Sequence, residues 1–316
     1  MILETVQQAQ AHCPERPLEA ILGDLGLPAA TYFRWVERAA TGDLADRVVV
    51  PRRLPVPPMP TEVEAVTSYA HDHPLLGYKR LAYALMLENK AFVYPWMVRD
   101  IMAEHELLGR RQPPPEPLVC PPEADHPDQR WHTDLMVWWF ADRWFWMIDV
   151  LDAYSRYLVH CQLLLTARAE DVTLAMQTAL DTLPPERRRA GEPEIVHDCG
   201  SQFIGHEWAT LVQATAMTDV RARAHHPQSN GRDERVHRTF REEMPLADSD
   251  NFYQAEEVIR QYRTYYNQRR PHSALRYLPP REFYRGDPDA ALAARADACR
   301  AAAAARQAYW DTRRQP

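Results

Sequence analysis

The sequence predicts a mixed α/β domain of about five strands covered by helices, preceded by two all-helical modules and followed by a helical tail. Three observations lead to this. Two proline-dense stretches, residues 48–60 and 111–129, divide the chain and read as extended linkers. From Arg130 onward, runs of aromatic and β-branched residues replace the helical periodicity of the first third. After three such runs, helix-like and strand-like segments alternate, which implies both antiparallel and parallel neighbours in one sheet.

The chain has 316 residues, 46% of them hydrophobic, with 9 Trp, so it can bury more than one core. It contains no run of about 18 apolar residues, which argues against a membrane-spanning helix. The opening MILETVQQAQAHCPERP lacks the basic-then-apolar layout of a secretory signal. Five scattered cysteines without a CxxC pair argue against a disulfide framework and a zinc site, and suit a cytoplasmic protein with reduced thiols.

Residues 1–47 form the first module. Leu18, Ile21, Leu22 and Leu25 fall at helical spacing, Gly26 offers a turn, and Pro28 suits the first position of a second helix. Helix, short turn and helix make a helix-turn-helix pattern, whose second helix presents Arg34 and Arg38 as DNA contacts. An ordinary helical hairpin fits the same pattern equally well. Residues 61–110 form a second helical module, in which Lys79 and Arg80 lie where two helices meet, a second contact point for a nucleic-acid backbone. The core spans residues 130–285, and the Ala-rich residues 286–316 form the helical tail.

Within the core, residues 131–140 and 143–151 read as strand, turn and strand about Ala141-Asp142, and residues 156–165 as a third strand. A helix over 168–183 follows, then a strand over 194–200, a helix over 205–217 and a strand over 218–224. A Gly-containing loop then opens into a basic helix with Glu234 in its first turn.

Charge is unevenly distributed. The formal net charge is −7, yet residues 221–285 contain 13 basic and 9 acidic residues, against 6 and 13 in residues 131–220. Lys79 and Lys90 are the only lysines, so positive charge is almost all guanidinium, which suits bidentate contact with phosphate. A GC-rich genome, whose codons favour arginine, accounts for the overall bias at least as well.

Three acids stand out. Asp134 lies inside an aromatic strand, where a carboxylate is costly unless it is paired or bound to a cation. Asp198 lies at the C-terminal end of the fourth strand, the edge where α/β sheets place their sites. Glu234 follows it after 35 intervening residues, enough for a helix, a strand and a loop that return the chain to the sheet. Asp149 is a weaker competitor, and Asp152 reads as a turn acid. Three hard oxygen ligands without a Cys or His cluster suit Mg²⁺ or Mn²⁺. Two such ions can hold the attacking and leaving oxygens of an in-line phosphoryl displacement. His237, Arg238 and Arg241 follow Glu234 at helical spacing on its own face, where they can meet phosphate.

"WHTDL", "HDCGSQF", "HHPQSNGRDERVHRTFREE" and "YYNQRRPHSALRYLPPREFY", in this order, resemble the DDE transposases of bacterial insertion sequences, which have a retroviral-integrase-like catalytic core. The resemblance covers roughly residues 125–285 and extends loosely to "HPLLGYKRLAYALM". It departs at Cys199 and at Asp233, where the family favours other residues. The resemblance implies an RNase H-like fold, with Asp134, Asp198 and Glu234 as catalytic and metal-holding acids. It also implies two Mg²⁺ (or Mn²⁺) ions per site and a homo-oligomer on double-stranded DNA, both element ends and target. Arg269 and Arg270 of the last motif join the expected DNA contacts. Two other readings stay open: a catalytically inactive or domesticated DNA-binding protein, and a simple nuclease of the same fold.

Overall fold

The structure is a computed structural model that describes residues 2–40, 42, 56–108, 124–184, 193–198, 200–215, 217–221 and 227–313, with the backbone alone at 227–234. Most of both expected linkers lies outside these residues. The described chain falls into two units, Met1–Pro55 and Val56–Pro316.

The first unit contains α1 (Ile2–His12), α2 (Leu18–Asp24) and α3 (Ala29–Ala40). The expected pair of helices is present, and α1 adds a third whose buried residue, Val6, joins Ile21, Leu22 and Tyr32 in a small core. Gly26 has φ +61°, and the following Leu27 N–H closes the end of α2 on Leu22 O at 2.9 Å, a left-handed helix stop that favours glycine.

The second unit begins with α4 (Pro60–Asp72), α5 (Tyr78–Leu87) and α6 (Pro95–Glu104). Pro60 and Pro95 stand at the first helical positions, where a missing N–H costs nothing. Val66, Leu81, Leu85, Val93 and Val98 are fully buried between these helices.

The sheet consists of β1 (Arg130–Phe140), β2 (Arg143–Asp152), β3 (Leu158–Leu164), β4 (Glu194–His197) and β5 (Thr218–Arg221), in the order β3-β2-β1-β4-β5. The β1–β2 and β2–β3 pairs are antiparallel, whereas β1–β4 and β4–β5 are parallel. This is the mixed five-stranded sheet that the sequence predicts. Alternation divides its side chains. Trp131, Ile148, Val150 and Ile195 pack beneath α7 (Ala169–Asp181) and α8 (His206–Thr215). Met136, Trp138, Phe145, Met147 and Leu151 pack on the opposite face, beneath α9 (Pro227–Glu243) and α10 (Phe252–Gln268). Helices therefore cover both faces.

Two features differ from expectation. α9 already begins at Pro227, a residue pre-set for a first turn, so Gly231 lies within the helix and Glu234 falls beyond its first turn. The helical tail also makes contacts that the sequence did not indicate. After α11 (Pro280–Tyr284), α12 (Pro288–Asp311) packs on the α4–α6 region, where Arg306 donates to Glu62 Oε1 at 2.6 Å and Trp310 Nε1 donates to Pro57 O at 2.9 Å. Tyr83 of α5 stacks on Tyr277, with ring centroids 4.4 Å apart, and the Arg295 guanidinium lies 4.7 Å from the Tyr83 ring centre. Among the described residues no helix is long and apolar enough to cross a membrane.

Candidate active site

Strand register brings two of the three singled-out acids together. His132 of β1 pairs with Val196 of the parallel β4, and Asp134 and Asp198 each lie two residues further on. Because side chains alternate with a period of two, Asp134 and Asp198 emerge at the same level on one face of the sheet, from neighbours about 4.8 Å apart. That face bears Met136 and Trp138, and α9 lies over it. Asp134 is partly exposed and its Oδ1 accepts from the Leu135 N–H at 2.8 Å. Asp198 is exposed just beyond β4, and its Oδ1 accepts from the Gly200 N–H at 2.9 Å.

The point at which Asp198 leaves the sheet is fixed from the opposite face. His197 is buried, its Nε2 lies 2.7 Å from Asp219 Oδ1 of β5, and its ring stacks on Phe203 with centroids 4.4 Å apart. Trp208 Nε1 donates to the same Asp219 oxygen at 3.0 Å, so β4, β5 and α8 are tied together beside the acid.

α9 meets Asp134 through His237. The His237 Nδ1 atom lies 3.7 Å from Asp134 Oδ2, and its Nε2 lies 2.9 Å from Asp149 Oδ1. Asp149 sits directly across from Asp134 in the β1–β2 pair and is 3% exposed. His237 was expected at the DNA; it turns instead to the sheet, because a carboxylate as buried as Asp149 requires a polar partner. Glu234 lies one turn before His237 on α9, with its side chain outside the described residues. Asp149 lies opposite Cys161 of β3, and burial together with the Asp149 charge pushes the Cys161 thiol up.

The basic residues divide by environment. Arg34, Lys79, Arg238, Arg241 and Arg269 are exposed, and Arg38 is partly so. Arg270 is 4% exposed and grips Glu243 in a bidentate pair of 2.6 and 2.8 Å. Arg80 donates to Glu243 as well, at 2.8 Å, joining α5 to the end of α9. Burial raises the Glu243 pKa, but the hydrogen bonds and charge of Arg270, with the charge of Arg80, outweigh this and hold it below the ordinary carboxylate value. Arg270 and Arg80, two of the expected DNA contacts, are thus engaged with Glu243, whereas Arg269 is exposed.

The implied divalent ions fit the residues present. Asp134 and Asp198 offer hard carboxylate oxygens, the donor type that Mg²⁺ or Mn²⁺ prefers. Among the described residues no group of three potential ligands is assembled.

Residues 124–227 and 215–280 match two family models, each described as an integrase core domain. The described fold over the same segment is a mixed sheet flanked by helices. Residues 124–280 thus form an integrase core domain of RNase H-like architecture. Among solved structures, the catalytic core domain of BIV integrase is similar at 18% identity and a TM-score of 0.40, over 50% of this chain and 93% of that one. The HTLV-2 integrase catalytic core domain in complex with magnesium is 14% identical at a TM-score of 0.39, over 50% and 97% of the two chains. The simian T-cell lymphotropic virus intasome in complex with PP2A regulatory subunit B56 gamma is 13% identical at 0.44, over 71% and 72%.

Proposed function

We propose that this protein is a DNA transposase of the integrase type, which cleaves the ends of a DNA element and joins them to target DNA. The observation that supports it best is the parallel β1–β4 register, which leads Asp134 and, just past β4, Asp198 toward one level, on the side where the helix that contains Glu234 meets Asp134. In this reading Asp134, Asp198 and Glu234 hold two Mg²⁺ or Mn²⁺ ions. When bound, these ions neutralise the charge that builds up at phosphorus and on the attacking and leaving oxygens.

The protein's own residues bring the phosphodiester to that point. Arg238 and Arg241, exposed on α9, attract the backbone; Arg269 and Lys79 extend the basic contacts within the same unit, and Arg34 and Arg38 supply them in the first unit. Water attacks phosphorus at the element end, breaking the P–O3′ bond and releasing a 3′-hydroxyl. That hydroxyl then attacks a target phosphodiester in line, forming a new P–O bond as the target's own 3′-oxygen leaves and takes up a proton. The protein works as a homo-oligomer on DNA, since two element ends must be held together and joined to one target.

The test uses the full chain, Mg²⁺ and duplexes bearing the repeats that flank its gene. Wild type should cleave and join, whereas Asp134→Asn, Asp198→Asn and Glu234→Gln should each lose both activities by orders of magnitude and still bind the duplex in EDTA. Cleavage without joining would identify a simple nuclease. Normal joining by all three variants would refute the proposed chemistry.

A further inference from the structure

Asp149 has no part in the acid set proposed above, yet it is a buried carboxylate placed directly across from Asp134. Their side chains lie on the same sheet face, where opposed like charges repel and destabilise a strand pair. The hairpin tolerates them because a third group stands between: His237 of α9, 2.9 Å from Asp149 Oδ1 and 3.7 Å from Asp134 Oδ2. The His237 side chain is only 12% exposed, and Val236 and Phe240 beside it are buried in the core beneath α9, so the ring is confined as well as bonded. One helical turn before it stands Glu234.

On this geometry we infer that Asp149 and His237 are positioning residues for the candidate acid site. Asp149 anchors the imidazole, and the anchored ring sets α9, and with it the Glu234 turn, at a fixed height against Asp134. The inference rests on the proposed metal-holding role of Asp134, and adds a carboxylate–imidazole support behind it. Supports of this kind orient ligands, and their loss ordinarily costs about 10–100-fold in metal affinity or activity.

The experiment measures Mn²⁺ binding to the full chain by calorimetry, alongside joining of element-end DNA. Asp149→Ala and His237→Ala should each weaken Mn²⁺ binding and slow joining by about 10–100-fold. The double variant should be no worse than either single one, because the two act as one unit. Asp149→Asn keeps an acceptor for the ring and should restore most of both properties, whereas Asp149→Leu, of similar size without an acceptor, should not; equal rescue by both would mean that Asp149 only fills space. Because Asp149 is buried, His237→Gln provides the same test from a less buried position if Asp149→Ala unfolds. Should Asp149→Ala and His237→Gln bind Mn²⁺ and join DNA within twofold of wild type while Asp134→Asn loses both, the positioning role is wrong and the proposed active site stands. Should Asp134→Asn itself leave Mn²⁺ binding and joining intact, the active-site reading fails, and the positioning role with it.

Discussion

Arg306 on the last helix donates through Nη1 to Glu62 Oε1 on α4 across 2.6 Å, and the two side chains are 2% and 8% exposed. A buried ion pair adds little over well-packed apolar residues, but removing one partner strands a charge. Arg306→Ala should therefore cost about 3–5 kcal/mol, read as a lower urea midpoint of the second unit. Adding Glu62→Gln should recover part of the loss, since an amide needs no counter-charge. An unchanged midpoint for Arg306→Ala would show that the tail contributes nothing to α4–α6.

His272 should make the protein acid-sensitive at unusually mild pH. Burial, then the charges of Arg270, Arg156, Arg80 and Arg235, push it down to about 3 from an ordinary 6.5. The folded state thus refuses a proton that the unfolded chain accepts. Stability is then full above pH 6.5 and falls as pH drops from there toward 3, by at most about 1.4 kcal/mol per pH unit. Denaturation midpoints between pH 7 and 4 check this: His272→Gln should flatten the upper part of the fall, and identical curves would disprove it.

The β1–β2 turn stores strain that can be removed. Ala141 has φ +47° and Asp142 has φ +55°, both in the left-handed region required by a two-residue hairpin turn of this type. An alanine there costs about 1 kcal/mol relative to a residue without Cβ. Ala141→Gly should raise the thermal midpoint, and a lower midpoint would mean that Ala141 packs in a way its exposure does not suggest.

Arg238 and Arg241 are exposed on the helix that meets Asp134. If they contact phosphates as proposed, replacing both with Ala should reduce the salt dependence of DNA binding by about 0.9 in log–log slope per lost contact. Fluorescence anisotropy at several salt concentrations measures the slope, and an unaltered slope would place this face away from DNA.

Much of the site was legible in one dimension. Strand–turn–strand about Ala141-Asp142 was readable from composition, and with a two-residue turn, counting back from Phe140↔Arg143 pairs Asp134 with Asp149. That count was the available signal that Asp149 is the cross-strand neighbour of Asp134. The spacing of Asp134, Asp198 and Glu234 likewise follows from element lengths. The start of α9 was misplaced because Gly231 reads as a loop residue, and packing of Val236, Phe240 and Met244 on the sheet holds the helix despite it.

By itself the sequence determined the order of the five strands along the chain, the mixed sheet and the place of Asp134 within β1, because these depend on local periodicity and turn chemistry. Only tertiary structure decided what each basic residue does. Arg270 and Arg269 are adjacent, yet one is buried on Glu243 and the other is exposed. Arg306 finds Glu62 across 244 positions, and His237 finds Asp149 across 88. A charge pattern along a chain does not specify whether a cation will face water or a buried carboxylate, because the cost of an unpaired charge is set by which distant elements exclude solvent around it.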